Sequence, residues 1–216
     1  TGSSGGFLLS FLAAFDPGDR VALAMPGYPC YRHILTALGL EPVLIETHAE
    51  TKFQPTVADL EAVAGKLDGL IVASPSNPVG AVLPAAELTA IAQWCAKKGV
   101  RLVSDEIYHG ITFGAPAASA ATLDGAIVIN SFSKYFSMTG WRLGWMVLPE
   151  DLVKPVERLA QNFFISAPSL SQLAGIAAFD AHEELQGNVT RYAKNREILL
   201  NDLPKAGFDD LTTTDG

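Results

Sequence analysis

The sequence predicts a three-layer α/β/α domain built on a mostly parallel, mixed sheet, and three observations carry that expectation. Short β-rich apolar runs alternate with segments of helical periodicity, the pattern of a sheet covered on both faces. The 216 residues are 49% hydrophobic and 18% charged, so the chain can bury a sizeable core. Only eleven residues, Phe132 to Arg142, separate the last two expected strands. That is short for a parallel crossover, so the final strand is expected to run antiparallel.

In chain order, Gly2-Ser3-Ser4-Gly5-Gly6 precedes an apolar helical run that begins at Phe7. Strands are expected over Val21–Met25, Pro42–Glu46, Leu70–Ser74, Arg101–Asp105, Ala126–Ser131 and Gly144–Leu148, each an apolar or β-branched run of strand length. Between them, Tyr31–Leu38, Val57–Ala64 and Ala85–Lys98 carry helical periodicity, with Pro84 suited to a first turn and Gly99 to a stop. Beyond Pro149 the pattern is helical over Glu150–Asn162, Ser169–Ala181 and Glu183–Asn201. Residues 1–180 are expected to form a large domain, and 181–216 the start of a small α+β domain. The chain opens at Thr1 and stops on a polar run at Gly216, and both ends are expected to be cuts in a longer protein.

A net charge of −8 and a pI near 4.9 give no general attraction to phosphate backbones or anionic membranes, so neither nucleic acid nor membrane is expected as a partner. The longest apolar stretches, such as Phe7 to Phe15, fall short of a membrane span, and no signal peptide opens the chain. Cys30 and Cys95 lack the close spacing of a metal or redox pair, which fits a reducing cytoplasm. None of the four histidines has metal-ligand spacing.

In open α/β sheets ligands bind beyond the carboxyl ends of the strands. The unusual polar residues cluster there: Asn77 follows one strand, Asp105 closes the next, and Ser131 and Lys134 follow a third. The small residues Gly2–Gly6 place free N–H groups at a helix start, an arrangement that binds phosphate, although alone the run reads equally as a flexible turn. Lys134 on its own would be a solvated charge, but its neighbours are hydroxyls and aromatics, and a lysine amine can condense with a carbonyl cofactor. Arg142, eight residues on, has the planar fork that clamps phosphate, or a surface ion pair if it stands alone. Ser131 offers a further donor.

The Ser131–Gly144 segment, Ser-Phe-Ser-Lys-Tyr-Phe-Ser-Met-Thr-Gly-Trp-Arg-Leu-Gly, resembles the lysine signature of the class I and II aminotransferases, within the fold type I enzymes that use pyridoxal 5'-phosphate. The resemblance runs from Thr1 to at least Leu148. It implies the large domain of a pyridoxal-phosphate-dependent transferase, with Lys134 holding the cofactor as a Schiff base. It further implies that Gly2, Ser3 and Ser4 face the cofactor phosphate with Ser131 and Arg142. In Pro26-Gly27-Tyr28-Pro29-Cys30-Tyr31 it points to Tyr28 rather than Tyr31 as the residue against the ring face. Pro75-Ser76-Asn77-Pro78-Val79-Gly80 resembles the family's Asn-Pro-Thr-Gly loop with valine for threonine, and implies that Asn77 and Tyr108 share the ring's phenolic oxygen. Asp105, in Asp-Glu-Ile-Tyr, is implied as the partner of the protonated pyridine nitrogen, because a carboxylate at the end of a buried strand needs a cation to offset its desolvation. Glu106 is expected to face outward, and His109 to be a satisfied or exposed loop residue.

The function implied is transamination between an amino acid and a 2-keto acid, with Lys134 and Asp105 catalytic, in a homodimer whose Ser166–Ser169 loop reaches towards the neighbouring site. The resemblance places the substrate-carboxylate arginine and an N-terminal arm outside this sequence. A β-eliminating lyase of the same fold, or the aminotransferase-like sensor domain of a transcriptional regulator, are the competing readings.

Overall fold

The computed structural model describes residues 1–216. The chain runs α1 (Gly2–Ala14), β1 (Arg20–Met25), α2 (Pro29–Ala37), β2 (Glu41–Glu46), α3 (Val57–Ala62), β3 (Gly69–Ala73), α4 (Ala85–Lys98), β4 (Arg101–Asp105), β5 (Ile127–Ser131), β6 (Gly144–Val147), α5 (Glu150–Phe163), α6 (Ser169–Ala178) and α7 (His182–Asp202). The six strands form one sheet in the order β2-β1-β3-β4-β5-β6. Every neighbouring pair is parallel except β5 with β6, which is antiparallel with Ser131 opposite Gly144, as the short connection requires.

Alternation along each strand builds two cores. Ala22, Leu70, Val72, Leu102 and Val128 point to one face, where Leu60 of α3 and Leu88, Ile91 and Cys95 of α4 cover them. Val21, Leu23, Ile71, Val103, Ile127 and Ile129 point to the other, beneath Phe7 and Phe11 of α1, Tyr31 and Leu35 of α2, and Leu152 and Val156 of α5. Period-two side chains buried on both faces are what a parallel sheet between helical layers demands. No helix is long and apolar enough to cross a membrane.

Local chemistry sets the helix ends. Thr56 and Asp59 form a reciprocal capping box at the start of α3, and α4 ends at Gly99 with φ 70° in the left-handed region. The largest departure from the sequence expectation is α1, which begins at Gly2 rather than Phe7. Its glycines are tolerated because they lie close under neighbours: a Cβ on Gly6 would meet Ile129 and Met146 of the sheet at 3.1 and 3.4 Å. Packing against the sheet overrides the low helix propensity of glycine.

The segment between β5 and β6 makes its own small core from Phe132, Met138 and Leu143 against α6. A Cβ on Gly175 of α6 would sit 2.6 Å from Leu143, so that helix docks at close range. Phe132, Phe136, Trp145 and Phe179 surround the turn with tilted and edge-on ring contacts. The sequence between the two strands therefore folds as a packed turn, with Lys134 on its outer side.

Candidate functional site

The strand order reverses between β1 and β3, and the crevice at their carboxyl ends is where such sheets bind ligands. A cavity of ≈ 170 Å³ lies there, walled by residues from five places in the chain. Ser3 and Ser4 come from the first turn of α1, Tyr28 from the turn after β1, Asn77 from the loop after β3, Asp105 and Tyr108 from the end of β4, and Lys134 and Arg142 from the β5–β6 turn. Eight of the ten residues expected from the sequence thus share one cavity.

The other two are placed differently. Gly2 lies behind the wall, packed on Arg142: a Cβ there would be 2.6 Å from Nη2, and φ is +73°. Ser131 is buried, its hydroxyl directed at Ser133 Oγ (2.9 Å) and at the Leu143 carbonyl (3.3 Å). Ser133 lines the cavity in its place.

Asp105 is 3% exposed at the floor. Burial pushes its carboxyl up to about 6, against the pull of two donors, the Tyr31 hydroxyl and the Ile107 N–H. Burial likewise holds the Tyr31 hydroxyl well above its ordinary value, reinforced by the negative charge of Asp105. Tyr28 is half exposed at the rim, its ring edge-on to Tyr31 at 5.5 Å. Asn77 Nδ2 reaches the Tyr108 hydroxyl at 3.4 Å, and Lys134 Nζ stands over the Tyr108 ring at 5.4 Å. Arg142 is held by Thr139, whose carbonyl accepts from Nη1 at 2.9 Å. The first turn of α1, with its unpaired N–H groups, shares one corner of the cavity with Ser3, Ser4 and Arg142, a grouping of hydrogen-bond donors.

Two expectations beside the site are corrected. Glu106 does not face outward: it is 2% exposed, on the opposite face of the sheet from Asp105, and accepts from the Ala120 N–H and the Ser104 and Ser119 hydroxyls. His109 is neither satisfied nor exposed, with Nδ1 3.4 Å from Glu106 and a buried Nε2 without a partner. Tyr31, Ser133, Thr139, Phe7 and Cys30 are cavity residues that the sequence reading did not assign. Tyr31 had a signal, since it lies three residues after Tyr28 at the start of a helix and so shares its face.

A larger cavity of ≈ 520 Å³ lies elsewhere, between residues 50–56, 82–87 and 113–115, and brings together no comparable set of nucleophile, buried acid and anion donors.

Lys134, the buried Asp105 and the Ser3, Ser4 and Arg142 side chains thus line one cavity at the switch point of a mostly parallel α/β sheet. The family model for aminotransferase class I and II matches residues 1–215. A valine–pyruvate aminotransferase of Mycobacterium tuberculosis is 55% identical over 221 residues, covering 100% of this chain and 57% of that protein. A (5-formylfuran-3-yl)methyl phosphate transaminase of Methanocaldococcus jannaschii is 33% identical, covering 96% and 55%. Among solved structures, an aminotransferase from M. tuberculosis superposes with TM-score 0.97 at 54% identity, over 100% of this chain and 57% of that one. A variant of Thermus thermophilus aspartate aminotransferase superposes with TM-score 0.92 at 28% identity, over 100% and 61%. The chain belongs to the class I and II aminotransferases, whose members use pyridoxal phosphate. It spans a little over half the length of these relatives.

Proposed function

We propose that the full-length protein is a pyridoxal-phosphate-dependent aminotransferase moving an amino group between an amino acid and a 2-keto acid. The observation that carries this reading is the convergence of Lys134, Asp105, Tyr108, Asn77, Tyr28 and the Ser3–Ser4–Arg142 corner on one cavity.

The donor set fits the cofactor. Asp105 is a buried acid whose carboxyl sits at about 6, so its charged form needs a cation, and a pyridinium nitrogen is one. Ser3, Ser4 and Arg142 offer a phosphate two hydroxyl donors and a guanidinium charge on one side of the cavity. Ser131 acts behind them, fixing Ser133. When bound, pyridoxal phosphate supplies an aldehyde that condenses with amines and a ring that withdraws electrons from the amino acid's α-carbon.

The chain's own residues then have distinct tasks. Lys134 Nζ would hold the cofactor through its carbonyl, and as a free amine it would serve as the base that moves a proton to and from the substrate α-carbon. Asp105 would hold the ring proton, its carboxylate aimed by Tyr31 and the Ile107 N–H, while Asn77 and Tyr108 would donate to the phenolic oxygen. With Lys134 freed to act as a base, Ser3, Ser4 and Arg142 would have to retain the cofactor through its phosphate.

The relative named for valine and pyruvate makes that pair the first to test. Residues 181–216 begin a second domain in this reading. The exposed Leu170, Leu173 and Ile176 on α6, beside Ile165, support a homodimer that buries them. The free cysteines Cys30 and Cys95 fit a cytoplasmic enzyme.

The test is a single half-reaction in the full-length protein. Valine alone, or another amino acid from a panel, should convert the cofactor to its amine form with stoichiometric keto acid and no ammonia, and a keto acid should restore the starting spectrum. Steady ammonia release would favour the lyase, and a spectrum indifferent to every amino acid would favour the sensor.

A further inference from the structure

Tyr135, the residue after Lys134, is tied to three parts of the fold at once. Its hydroxyl accepts from Gln186 Nε2 of α7 at 2.8 Å and lies 3.2 Å from Nδ1 of His182, also on α7. Its ring lies flat against Gly110, where φ is +90° and an added Cβ would meet the ring at 2.6 Å. Gly110 belongs to the turn in which Ile111 N–H bonds the Tyr108 carbonyl at 3.0 Å, so that turn carries Tyr108. Its main chain leads straight into Lys134, whose Nζ stands over the Tyr108 ring at 5.4 Å.

We infer that Tyr135 is a positioning residue, a wedge through which α7 sets where the Lys134 amine stands relative to Tyr108. The inference rests on the assignment of Lys134 above and adds a specific mechanical link to it. Lys134 and Tyr135 are only partly buried on the outer side of this turn, where their side chains have several accessible rotamers, and two hydrogen bonds to a neighbouring helix remove most of them. Gly110 is needed because the ring occupies the volume of a side chain there. The ring fixes the spacing between the turn of Tyr108 and the turn of Lys134, while the hydroxyl fixes both to α7. A displacement of α7 would therefore reach the amine through two residues, without passing through the sheet.

The experiment reads the amine directly. Cofactor-free full-length protein is trace-acetylated, and peptide mass spectrometry compares Lys134 with the exposed Lys97 of α4 as internal standard. Tyr135→Phe and the double variant His182→Ala/Gln186→Ala should each raise the Lys134 ratio about three- to tenfold, the factor expected when one or two net hydrogen bonds are lost. Gln186→Glu should stay near wild type, because its carboxylate accepts the tyrosine O–H and keeps the link. If Tyr135→Phe fails to fold, the α7 variants, which leave the ring in place, carry the test. Wild-type ratios in the double variant, or a Gln186→Glu ratio as high as that of the double variant, would overturn the inference. Failure of the aminotransferase reading would show separately, as absence of borohydride-trapped cofactor on Lys134 in the wild-type protein.

Discussion

The hydroxyl of Tyr31 donates a hydrogen bond to the carboxylate of Asp105 at the floor of the cavity. Both groups are almost wholly buried, and the only other donor to that carboxylate is the Ile107 N–H at 3.1 Å. The pair explains how an acid at the end of a central strand stays partly ionised without a neighbouring guanidinium. It also orients the carboxylate before any cofactor arrives.

Tyr31→Phe removes that donor while keeping the ring in its aromatic cluster with Phe7. The Asp105 carboxyl should then rise further above about 6 and be less ionised at neutral pH. Because a hydrogen bond to a charged group contributes about 1.5–3 kcal/mol, cofactor affinity should fall about tenfold or more at pH 7. Fluorescence titration of cofactor into the stripped full-length protein measures this, and an unchanged Kd would remove Tyr31 from the site's workings.

Asp105 also makes stability depend on pH. Its carboxyl sits at about 6 in the fold against an ordinary value of 3.8, so the folded state holds the proton more tightly than the unfolded state does. Stability of the cofactor-free protein should therefore fall as pH rises from about 4 to 6 and then level off. At 1.36 kcal/mol per pH unit, moving from 3.8 to about 6 amounts to about 3 kcal/mol at most. Asp105→Asn escapes the penalty while still accepting from Tyr31. The stripped variant should be more stable than wild type above pH 6, with the gap closing below pH 4, in urea unfolding across that range. A gap independent of pH would sink the electrostatic account.

Gly2→Ala tests the anion corner. The added methyl would meet Arg142 Nη2 at 2.6 Å and must adopt a φ of +73°, so the guanidinium is expected to shift away from Ser3 and Ser4. Affinity for pyridoxal phosphate should drop about tenfold, the scale of one charge-assisted hydrogen bond lost, while affinity for dephosphorylated pyridoxal barely changes. Equal losses for the two ligands would mean that the corner does not read phosphate.

The fold was legible in the sequence because alternation along β1, β3, β4 and β5 buries both faces, and because eleven residues are too few for a parallel return to β6. Residues at strand ends, such as Asp105 and Asn77, could be placed because the sheet's direction fixes which end faces the crevice. Irregular backbone defeated the same reasoning. After β5 the chain turns through Phe132 into a packed loop, so alternation no longer says which hydroxyl is inside, and Ser133 rather than Ser131 reaches the cavity. Gly2–Gly6 misled for another reason: helix propensity favours a turn there, but only glycine permits the close approach of α1 to Ile129 and Met146. Tyr31 was invisible as a partner of Asp105 because the bond joins residues 74 apart.

Glu106 supplies the last prediction. It follows Asp105 directly, and because neighbours on a strand point to opposite faces, it leaves the cavity and enters the core beside Leu102 and Ala120. There Oε1 accepts from the Ala120 N–H at 2.7 Å and the Ser104 hydroxyl at 3.1 Å, while Oε2 accepts from the Ser119 hydroxyl at 2.7 Å and lies 3.4 Å from His109. The carboxylate thus clamps the turn that carries Tyr108 to the segment before β5. Glu106→Ala would strand the Ala120 N–H in a buried site and open a void, so it should destabilise the fold by about 3 kcal/mol. Glu106→Gln keeps an acceptor for Ala120, and the Ser119 hydroxyl can rotate to accept from the new amide, so its cost should be about 1 kcal/mol. Denaturant unfolding of the two stripped variants separates these values. The looser turn in Glu106→Ala should also weaken the Asn77–Tyr108 contact, read as faster hydrogen exchange at residues 107–111 than in Glu106→Gln. Equal stability of the two variants would show that packing, and not the clamp, holds Tyr108 at the cavity.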